Sequence, residues 1–283
     1  MNKIQKTYLC RPDISTVRLT KEEAYKDVIL TAAHSATKRY NEHIGLIRSW
    51  DFNRDRWQYP VIIDNMMNLE LLMRAFHLTG DSLYYHVAVT HSDNTLKHHF
   101  RPDHSSYHVV SYDTITGLPH AKQTHQGASD ESIWSRGQAW GLYGYTLMYR
   151  ETGYERYLNQ AVNIANLLID HPNMPEDMIP FWDYLSPDIP DTNRDASAAA
   201  IMASALIELS GFVDPTLQAK YIAVAETQLR TLSTPEYLAE PGTNGFFILK
   251  RGVGHLPANS EVDVPLTYAD YYFVEALIRF KNL

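Results

Sequence analysis

The sequence predicts an all-α protein built from repeated helical hairpins. The first observation is a repeat of four segments, each with a turn and then a helix that carries Tyr and, four residues later, a small or apolar residue. The repeat recurs at intervals of roughly 60 to 70 residues, which suits two helices and their loops. The second observation is apolar spacing of three and four ahead of the later repeats, and the third is a scarcity of strand signals. The repeat tyrosines are Tyr25, Tyr84, Tyr157 and Tyr221.

Each repeat helix after the first follows another helical pattern. Apolar periodicity predicts these preceding helices at Met66–Leu78, Ser132–Tyr149 and Ala196–Leu209. A last helix, Tyr268–Phe280, is expected to stand alone at the C-terminus. With about nine helices by periodicity, a closed ring of hairpins would need more, so we expect the missing helices to precede Met1.

Local signals mark where these elements end. Gly80 and Gly153 are expected at helix C-termini, where a left-handed residue is required. Pro215 suits a first helical turn. Gly245–Leu249 is the best strand candidate, as part of a short hairpin. Three polar stretches are too long for simple connectors, so we expect them to form walls of a functional site: His99–Ser129, His171–Asn193 and Glu240–Val264.

Repeated hairpins form either an open solenoid or a ring closed by its ends. Polar and aromatic residues lie at or near the start of the first helix of each hairpin. In a ring these starts converge around a central pocket, whereas in a solenoid they spread along a ridge. The clustering of chemistry-bearing residues at the helix starts therefore favours a ring. The residues concerned are Asp64, the group Trp134–Arg136, the pair Arg194–Asp195, and Asp270.

Composition limits the function classes. Hydrophobic residues make up 45% of the chain and charged residues 20%, as in ordinary globular proteins. The net charge of −8 argues against nucleic acid as a partner. The single cysteine, Cys10, excludes an intrachain disulfide and a multi-cysteine metal site. No apolar run is long enough to cross a membrane, so we expect a cytoplasmic protein with no membrane partner, or a periplasmic one if a signal peptide is missing upstream.

The stretch Gln123–Gly141 concentrates site-like residues. Its indoles offer flat apolar platforms, and its Arg offers a fixed fork for a carboxylate or sulfate. We interpret it as one wall of a site for a flat, polar, anionic ring, such as a sugar acid. Asp130, with Ser129 before it, is expected to cap the helix that follows. The residues concerned are His125, Gln126, Asp130, Glu131, Trp134, Arg136, Gln138 and Trp140.

Six blocks of sequence carry a resemblance to a known family. They are VIIDNMMNLELL around Asp64, SSYHVVSYDTITG around His108, THQGASDESIWSRGQAWGLYG, PFWDY around Trp182, NRDASAAAI around Asp195, and the C-terminal YADYYFVEALIRF. By these blocks, their order and their spacing, the chain resembles the unsaturated glucuronyl hydrolases of glycoside hydrolase family 88, from about Leu19 onward. The related unsaturated rhamnogalacturonyl hydrolases match less well and remain an alternative.

The resemblance implies the fold and the activity. The expected fold is an (α/α)6 toroid, as a single domain over residues 1–283 that lacks its N-terminal part. The expected enzyme removes 4,5-unsaturated uronic acid from the non-reducing end of oligosaccharides that lyases release, of the glycosaminoglycan type. It hydrates the C4–C5 double bond and does not attack the glycosidic carbon. No metal or organic cofactor is implied.

The resemblance also implies roles for particular residues. Asp64 is expected to be the general acid/base, which protonates C4 while water adds at C5. The alternative for Asp64 is a plain N-cap of the helix that follows. The expected substrate-binding residues are His108, Gln126, Arg136, Trp134 and Trp140. In the loop RGVGHLPANSEVD, a rim against the second sugar is expected from His255, Asn259 and Ser260.

Structural alternatives remain for several of these residues. A tryptophan is usually part of a core, and Arg136 would pair with Asp130 or Glu131 on its helix. Arg194 and Asp195 are interpreted as a structural pair that caps a helix. Several neighbouring histidines would suggest zinc, but their spacing fits no common zinc pattern, so we expect no metal. These are His98, His99, His104 and His108.

The chain departs from the family pattern at one position. The family's second essential Asp would fall near Lys3 or Ile4, where no Asp occurs, and Asp13 lies too far along. The chain is then an enzyme sequence that is truncated or has a wrongly assigned start, or it is a natural fragment that is inactive or only binds sugar. A helical scaffold for other proteins is disfavoured by Asp64 and Arg136. An incomplete ring would expose apolar helix faces, so self-association through an open edge is expected.

Overall fold

Eight α-helices build the fold of the computed structural model, which describes residues 23–283. The all-α prediction is confirmed, and the tyrosines of the sequence repeat lie on the first, third, fifth and seventh helices. The helices are α1 (Glu23–Thr37), α2 (Asn65–Thr79), α3 (Ser82–His98), α4 (Ser135–Thr152), α5 (Glu155–Ile169), α6 (Ala196–Ser210), α7 (Pro215–Leu232) and α8 (Thr267–Lys281).

The helices form an inner and an outer layer. α2, α4, α6 and α8 pack side by side in that order, and α3, α5 and α7 each pack outside the inner helix that precedes them. Burial follows this division. On α6 every residue except Glu208 is buried, whereas α5 buries a single stripe and turns its other face to solvent. This arrangement is that of an α/α toroid.

The two kinds of connection lie at opposite ends of the hairpins. Two of the three connections from an inner to an outer helix turn at a left-handed glycine, Gly80 (φ 72°) after α2 and Gly153 (φ 68°) after α4. Each glycine N–H bonds to the carbonyl four residues back, that of Phe76 or Tyr149. Both predicted helix ends are therefore confirmed.

The long connections from outer to inner helices carry all the strands found between residues 23 and 283. Three strands form one antiparallel sheet, and two others form a hairpin before α8. Because these connections lead into the starts of the inner helices, they surround one end of the inner layer. The strands are β1 (Tyr40–Asn41) with β2 (Leu46–Ile47); β3 (Pro60–Ile62), β4 (Val109–Tyr112) and β5 (Pro119–Gln123); and β6 (Gly252–His255) with β7 (Ser260–Val264).

The prediction of a strand at Gly245–Leu249 is wrong. Asn244–Phe246 forms a 3₁₀ turn in which Gly245 is left-handed (φ 62°). The amides of Ile248 and Leu249 donate to the Asp270 carboxylate at 2.8 Å each and so form no hairpin ladder. Asp270 is held there, so the expectation that it joins the central site is also wrong.

Exposed large apolar side chains gather at the C-terminal edge. Val274, Leu277 and Ile278 are exposed on one face of α8, and Ile248 is exposed in the loop bonded to its first turn. Among residues 23–283 no helix is long and apolar enough to span a membrane. The expected self-association stays a prediction, and this apolar face of α8 is the surface it would use.

A Leu277→Asp substitution tests that surface. We expect the variant to weaken self-association at least tenfold, because a buried carboxylate would replace about 1.5–3 kcal/mol of leucine burial. Sedimentation velocity over a range of concentrations measures it. Leu83→Asp on α3 is the matched control, since Leu83 is similarly exposed at 46% against 40% for Leu277. Equal association of both variants would contradict the assignment.

Candidate active site

Asp64 lies between β3 and α2 and does not cap its helix. It occupies the N-cap position, and its side chain is nearly buried, yet it accepts no hydrogen bond from the first turn of α2. Its Oδ2 instead lies 3.8 Å from Nε2 of His108. The side chain is therefore directed at a histidine from another connection, and the plain N-cap alternative does not describe it.

The protonation of His108 follows from its backbone contacts. Nδ1 accepts the N–H groups of His125 at 3.1 Å and Gln126 at 3.0 Å. Because both groups are donors, the neutral ring carries its proton on Nε2, the atom that faces Asp64. Burial, reinforced by His125 and Arg136, holds the pKa of His108 well below its usual range. His108 thus presents an uncharged N–H donor toward Asp64.

The buried neutral state of His108 makes stability depend on pH. Its folded pKa lies below the unfolded value of about 6.5, so its contribution is fully present above that value. As the pH falls further, the unfolded state gains a proton that the folded state does not, and stability falls by about 1.4 kcal/mol per pH unit.

We expect His108→Gln to remove the share of the slope that His108 contributes, while the other buried histidines keep theirs. Urea unfolding at pH 7.5 and at pH 5 measures the free energy of unfolding, and the parent should lose about 2 kcal/mol more than the variant between them. His120→Gln, at an exposed histidine, serves as the control and should keep the full slope of the parent. A variant with an unchanged slope would show that His108 is protonated in the folded state.

Arg136, in the first turn of α4, binds protein groups from two other elements. Its Nη1 donates to Oδ2 of Asp195 at 3.2 Å and to the carbonyl of Val253, and its Nη2 donates to the carbonyl of Gly254 at 2.6 Å. The guanidinium is buried. These bonds tie the start of α4 to the start of α6 and to β6. The role of Arg136 in holding a uronate carboxylate stays a prediction.

The alternative pairings predicted for Arg136 are wrong. Asp130 accepts the N–H of Thr124 at 2.8 Å, and Glu131 pairs with Arg101 at 3.3 Å. Asp130 also does not cap α4, because that helix begins only at Ser135 and its N-cap position belongs to Trp134.

Asp195 caps α6, as predicted. Its Oδ1 accepts the backbone N–H of Ser197 at 3.0 Å and the hydroxyl of Ser197 at 2.6 Å. The predicted pair with Arg194 is wrong, because Arg194 bonds to the carboxylate of Asp177 and, at 2.7 Å, to the carbonyl of Ile179. Arg136 and Asp195 thus join the starts of α4 and α6, and Asp64 at the start of α2 lies beside His108, whose ring is 4.5 Å from that of Trp134 at the start of α4.

The two tryptophans of the WSRGQAWG block have different surroundings. The ring of Trp134 lies 4.5 Å from that of His108 and 4.5 Å from the Arg136 guanidinium. Trp140 is fully buried and meets Tyr268 and Tyr272 edge-on at 5.9 and 5.2 Å. In this structure Trp140 is part of the core, and its stacking on a sugar stays a prediction, as does sugar binding by Trp134.

Of the predicted rim residues, His255 lies close to the site, and its strand β6 is bonded to Gln126. Gln126 donates its amide Nε2–H to the carbonyl of Gly254 at 2.9 Å, which fastens the site loop to β6. The His255 ring lies 4.6 Å from that of His125. Burial, with smaller effects of His255 and Arg56, lowers the pKa of His125 to about 4. A further pair of rim residues, Asn259 and Ser260, is exposed at the turn of the β6–β7 hairpin.

Sequence reasoning missed an aromatic wall beside the site. Trp50, Phe52 and Trp57 surround His125 at ring distances of 5.6, 6.0 and 5.4 Å. Phe52 stacks on Trp50 at 5.1 Å and is 37% exposed. The signal was three aromatics in WDFNRDRW, just before the strand that leads to Asp64, but the segment has no periodicity.

This geometry suits acid–base chemistry on a flat polar ligand. A nearly buried carboxylate faces a neutral imidazole donor, and indole and histidine rings stand beside them. Such a pair can hold and transfer a proton in a site from which water is largely excluded. The predicted second Asp position, near Lys3 or Ile4, and Asp13 lie outside the described residues.

Comparison with known proteins identifies the family. A model of Glycosyl Hydrolase Family 88 matches residues 3–281. The chain belongs to this family. It is 50% identical over 259 residues to an unsaturated glucuronyl hydrolase of Formosa agariphila, covering 92% of this chain and 64% of that protein. It is 34% identical to an unsaturated chondroitin disaccharide hydrolase of Streptococcus pneumoniae, covering 90% of this chain and 64% of that relative.

Solved structures of unsaturated glucuronyl hydrolases share the fold. An unsaturated glucuronyl hydrolase described as specific for heparin matches with a TM-score of 0.92 and 48% identity, over 95% of this chain and 72% of that one. The unsaturated glucuronyl hydrolase of Bacillus sp. GL1 matches with a TM-score of 0.87 and 32% identity, over 95% and 71%. The family resemblance and the (α/α)6 toroid class are therefore confirmed, and the chain spans 64% of the curated relatives named above.

Proposed function

We propose that the chain removes 4,5-unsaturated uronic acid from the non-reducing end of glycosaminoglycan-type oligosaccharides. The names of its relatives support the substrate class, since they act as unsaturated glucuronyl or unsaturated chondroitin disaccharide hydrolases. The observation that carries the proposal is the placement of Asp64. Its carboxylate does not cap its own helix, and its Oδ2 lies 3.8 Å from Nε2 of His108.

The proposed reaction adds water across the C4–C5 double bond. Asp64 in its acid form gives its proton to C4, and the positive charge that develops at C5 is shared with the ring oxygen. Water bonds to C5 and gives its proton back to Asp64, so the acid is regenerated and one water is consumed. The resulting hemiketal opens to a ketone and expels the next sugar from C1.

The neighbouring residues would support this step in different ways. The Nε2–H of His108 would hold the Asp64 carboxylate or the attacking water, because its backbone contacts fix that tautomer. Trp134 and the wall of Trp50 and Phe52 would present flat surfaces to the sugar rings. Gln126 would hydrogen-bond the substituents of the uronate ring or the attacking water, and His255 would form the rim toward the second sugar.

Absorbance of the conjugated double bond tests the proposal. Unsaturated heparin and chondroitin disaccharides are mixed with the chain, and we expect the absorbance to fall as the second sugar is released. No fall at high protein concentration, with an active full-length relative as control, would reject catalysis by this chain. Calorimetric binding without turnover would identify a sugar-binding remnant, and turnover of rhamnogalacturonyl substrates alone would favour the related activity.

A further inference from the structure

Three fully buried polar side chains lie on one face formed by α3 and His99, the C-cap residue that follows it. His91, Thr95 and His99 follow at intervals of four residues and therefore lie on successive turns of the same face. All three are 0% exposed. This face packs against β2, and the ring of His99 lies beside that of Tyr112 on β4, which belongs to a buried hydrophobic cluster with Leu46 and Val110. Histidine and threonine are seldom buried in such surroundings without partners.

Most of their polar atoms lack a protein partner. Nδ1 of His91 accepts the N–H of Ile47 at 3.1 Å, so its proton lies on Nε2. That Nε2, Oγ1 of Thr95 and both ring nitrogens of His99 have no hydrogen-bond partner among residues 23–283. The hydroxyl of Tyr112 on β4, whose ring lies 6.1 Å from that of His99, has none within the same range. Five buried polar atoms on two facing elements thus need hydrogen bonds from something else.

The chemistry of these groups limits what supplies the bonds. Burial lowers the pKa of His91 to about 3 and that of His99 well below its usual range, so both rings are uncharged at neutral pH. An uncharged pocket does not select an ion. A shared metal is excluded by distance, because eight residues of helix separate His91 and His99 by about 12 Å. The ligand must be small and neutral, and must both donate and accept.

Water meets each of these requirements. We propose that α3, β2 and β4 enclose an internal water site, in which waters bridge His91, Thr95, His99 and Tyr112. The axial separation of the two histidines requires more than one water. The site is distinct from the candidate active site and does not depend on the proposed function.

The water site lies behind the segment that presents His108. The carbonyl of His99 accepts the N–H of Tyr107 at 2.8 Å, and Tyr107 directly precedes His108. The waters would thus supply hydrogen-bond partners to the buried side chains at the end of α3. The same end of α3 holds the segment before His108 through the carbonyl of His99. Like the internal waters of other proteins, they should exchange slowly with solvent.

Two measurements test the proposal. Oxygen-17 relaxation dispersion counts long-lived internal waters, and we expect Thr95→Val to remove at least one of them. Thr146→Val is the matched control, because Thr146 is equally buried but its hydroxyl already bonds to the Leu142 carbonyl at 2.8 Å. It should leave the count unchanged.

If the Thr95→Val variant does not fold, a high-resolution crystal structure of the parent chain tests the water site instead. Density for waters that bridge the named atoms would support the proposal. Direct side-chain bonds among these residues, or a dry pocket, would overturn it, as would a water count that Thr95→Val leaves unchanged.

Discussion

Replacing Asp64 by Asn is expected to lower kcat by about 10²- to 10⁴-fold, the usual contribution of a positioned general acid. The amide cannot give a proton to C4 or take one from the attacking water. Its shape matches that of the carboxylate, and Asp64 makes no capping bond to α2, so the helix loses no cap. KM should change little by comparison, because the proton is transferred only in the transition state.

Steady-state kinetics on an unsaturated disaccharide measure this effect. Asp130→Asn is the matched control, since Asp130 is an exposed aspartate in the loop that also carries Gln126, and its carboxylate accepts the N–H of Thr124, which an amide oxygen can also accept. It should keep the parent rate. An Asp64→Asn variant that works at nearly the parent rate would remove Asp64 from the chemistry.

Replacing Arg136 by Met is expected to lower the free energy of unfolding by about 3–5 kcal/mol. Methionine fills a similar volume but makes none of the bonds to Asp195, Val253 and Gly254. The substitution therefore leaves a buried carboxylate and two buried carbonyls short of a donor. Losing one partner of a buried pair costs far more than the pair itself contributes.

Chemical denaturation measures the loss, with Arg54→Met as the control. Arg54 is exposed, and its 3.5 Å contact with Asp51 lies in solvent, so that variant should change stability by less than about 1 kcal/mol. An Arg136→Met variant as stable as the parent would show that the guanidinium is not engaged by the protein and is free to bind a ligand carboxylate.

The helices were predictable because their signals are local and repeated. The helix predicted at Met66–Leu78 is observed at Asn65–Thr79, and the one predicted at Tyr268–Phe280 is observed at Thr267–Lys281. Buried residues at spacings of three and four fix these elements whatever packs against them. The helix predicted from Ser132 starts three residues later, at Ser135, because Trp134 pairs with Asp183 across a bridge before the first turn.

The strands were harder to predict because they are short and their sequences show no alternation of apolar and polar residues. All four residues of β4 are buried, and β6 includes two glycines of its four residues, so neither shows a period of two. The aromatic wall of Trp50, Phe52 and Trp57 was missed for a related reason. Those side chains meet only through the tertiary placement of a loop.

The role of Asp64 shows what sequence pattern alone leaves open. An aspartate ahead of a helix is equally suited to capping and to catalysis, and the family resemblance favoured the second. The structure places the carboxylate beside His108, 44 residues further along the chain, and without a capping bond. Only the long connection that folds His108 back over the start of α2 could distinguish the two roles.

The most direct test of the account compares two signals in one rapid-mixing experiment. Disappearance of the double-bond absorbance reports hydration at C4 and C5, and appearance of the second sugar reports cleavage at C1. We expect the absorbance to disappear before or together with sugar release, and Asp64→Asn to slow both. Release of the second sugar while the double bond is still intact would show attack at the glycosidic carbon and contradict the account.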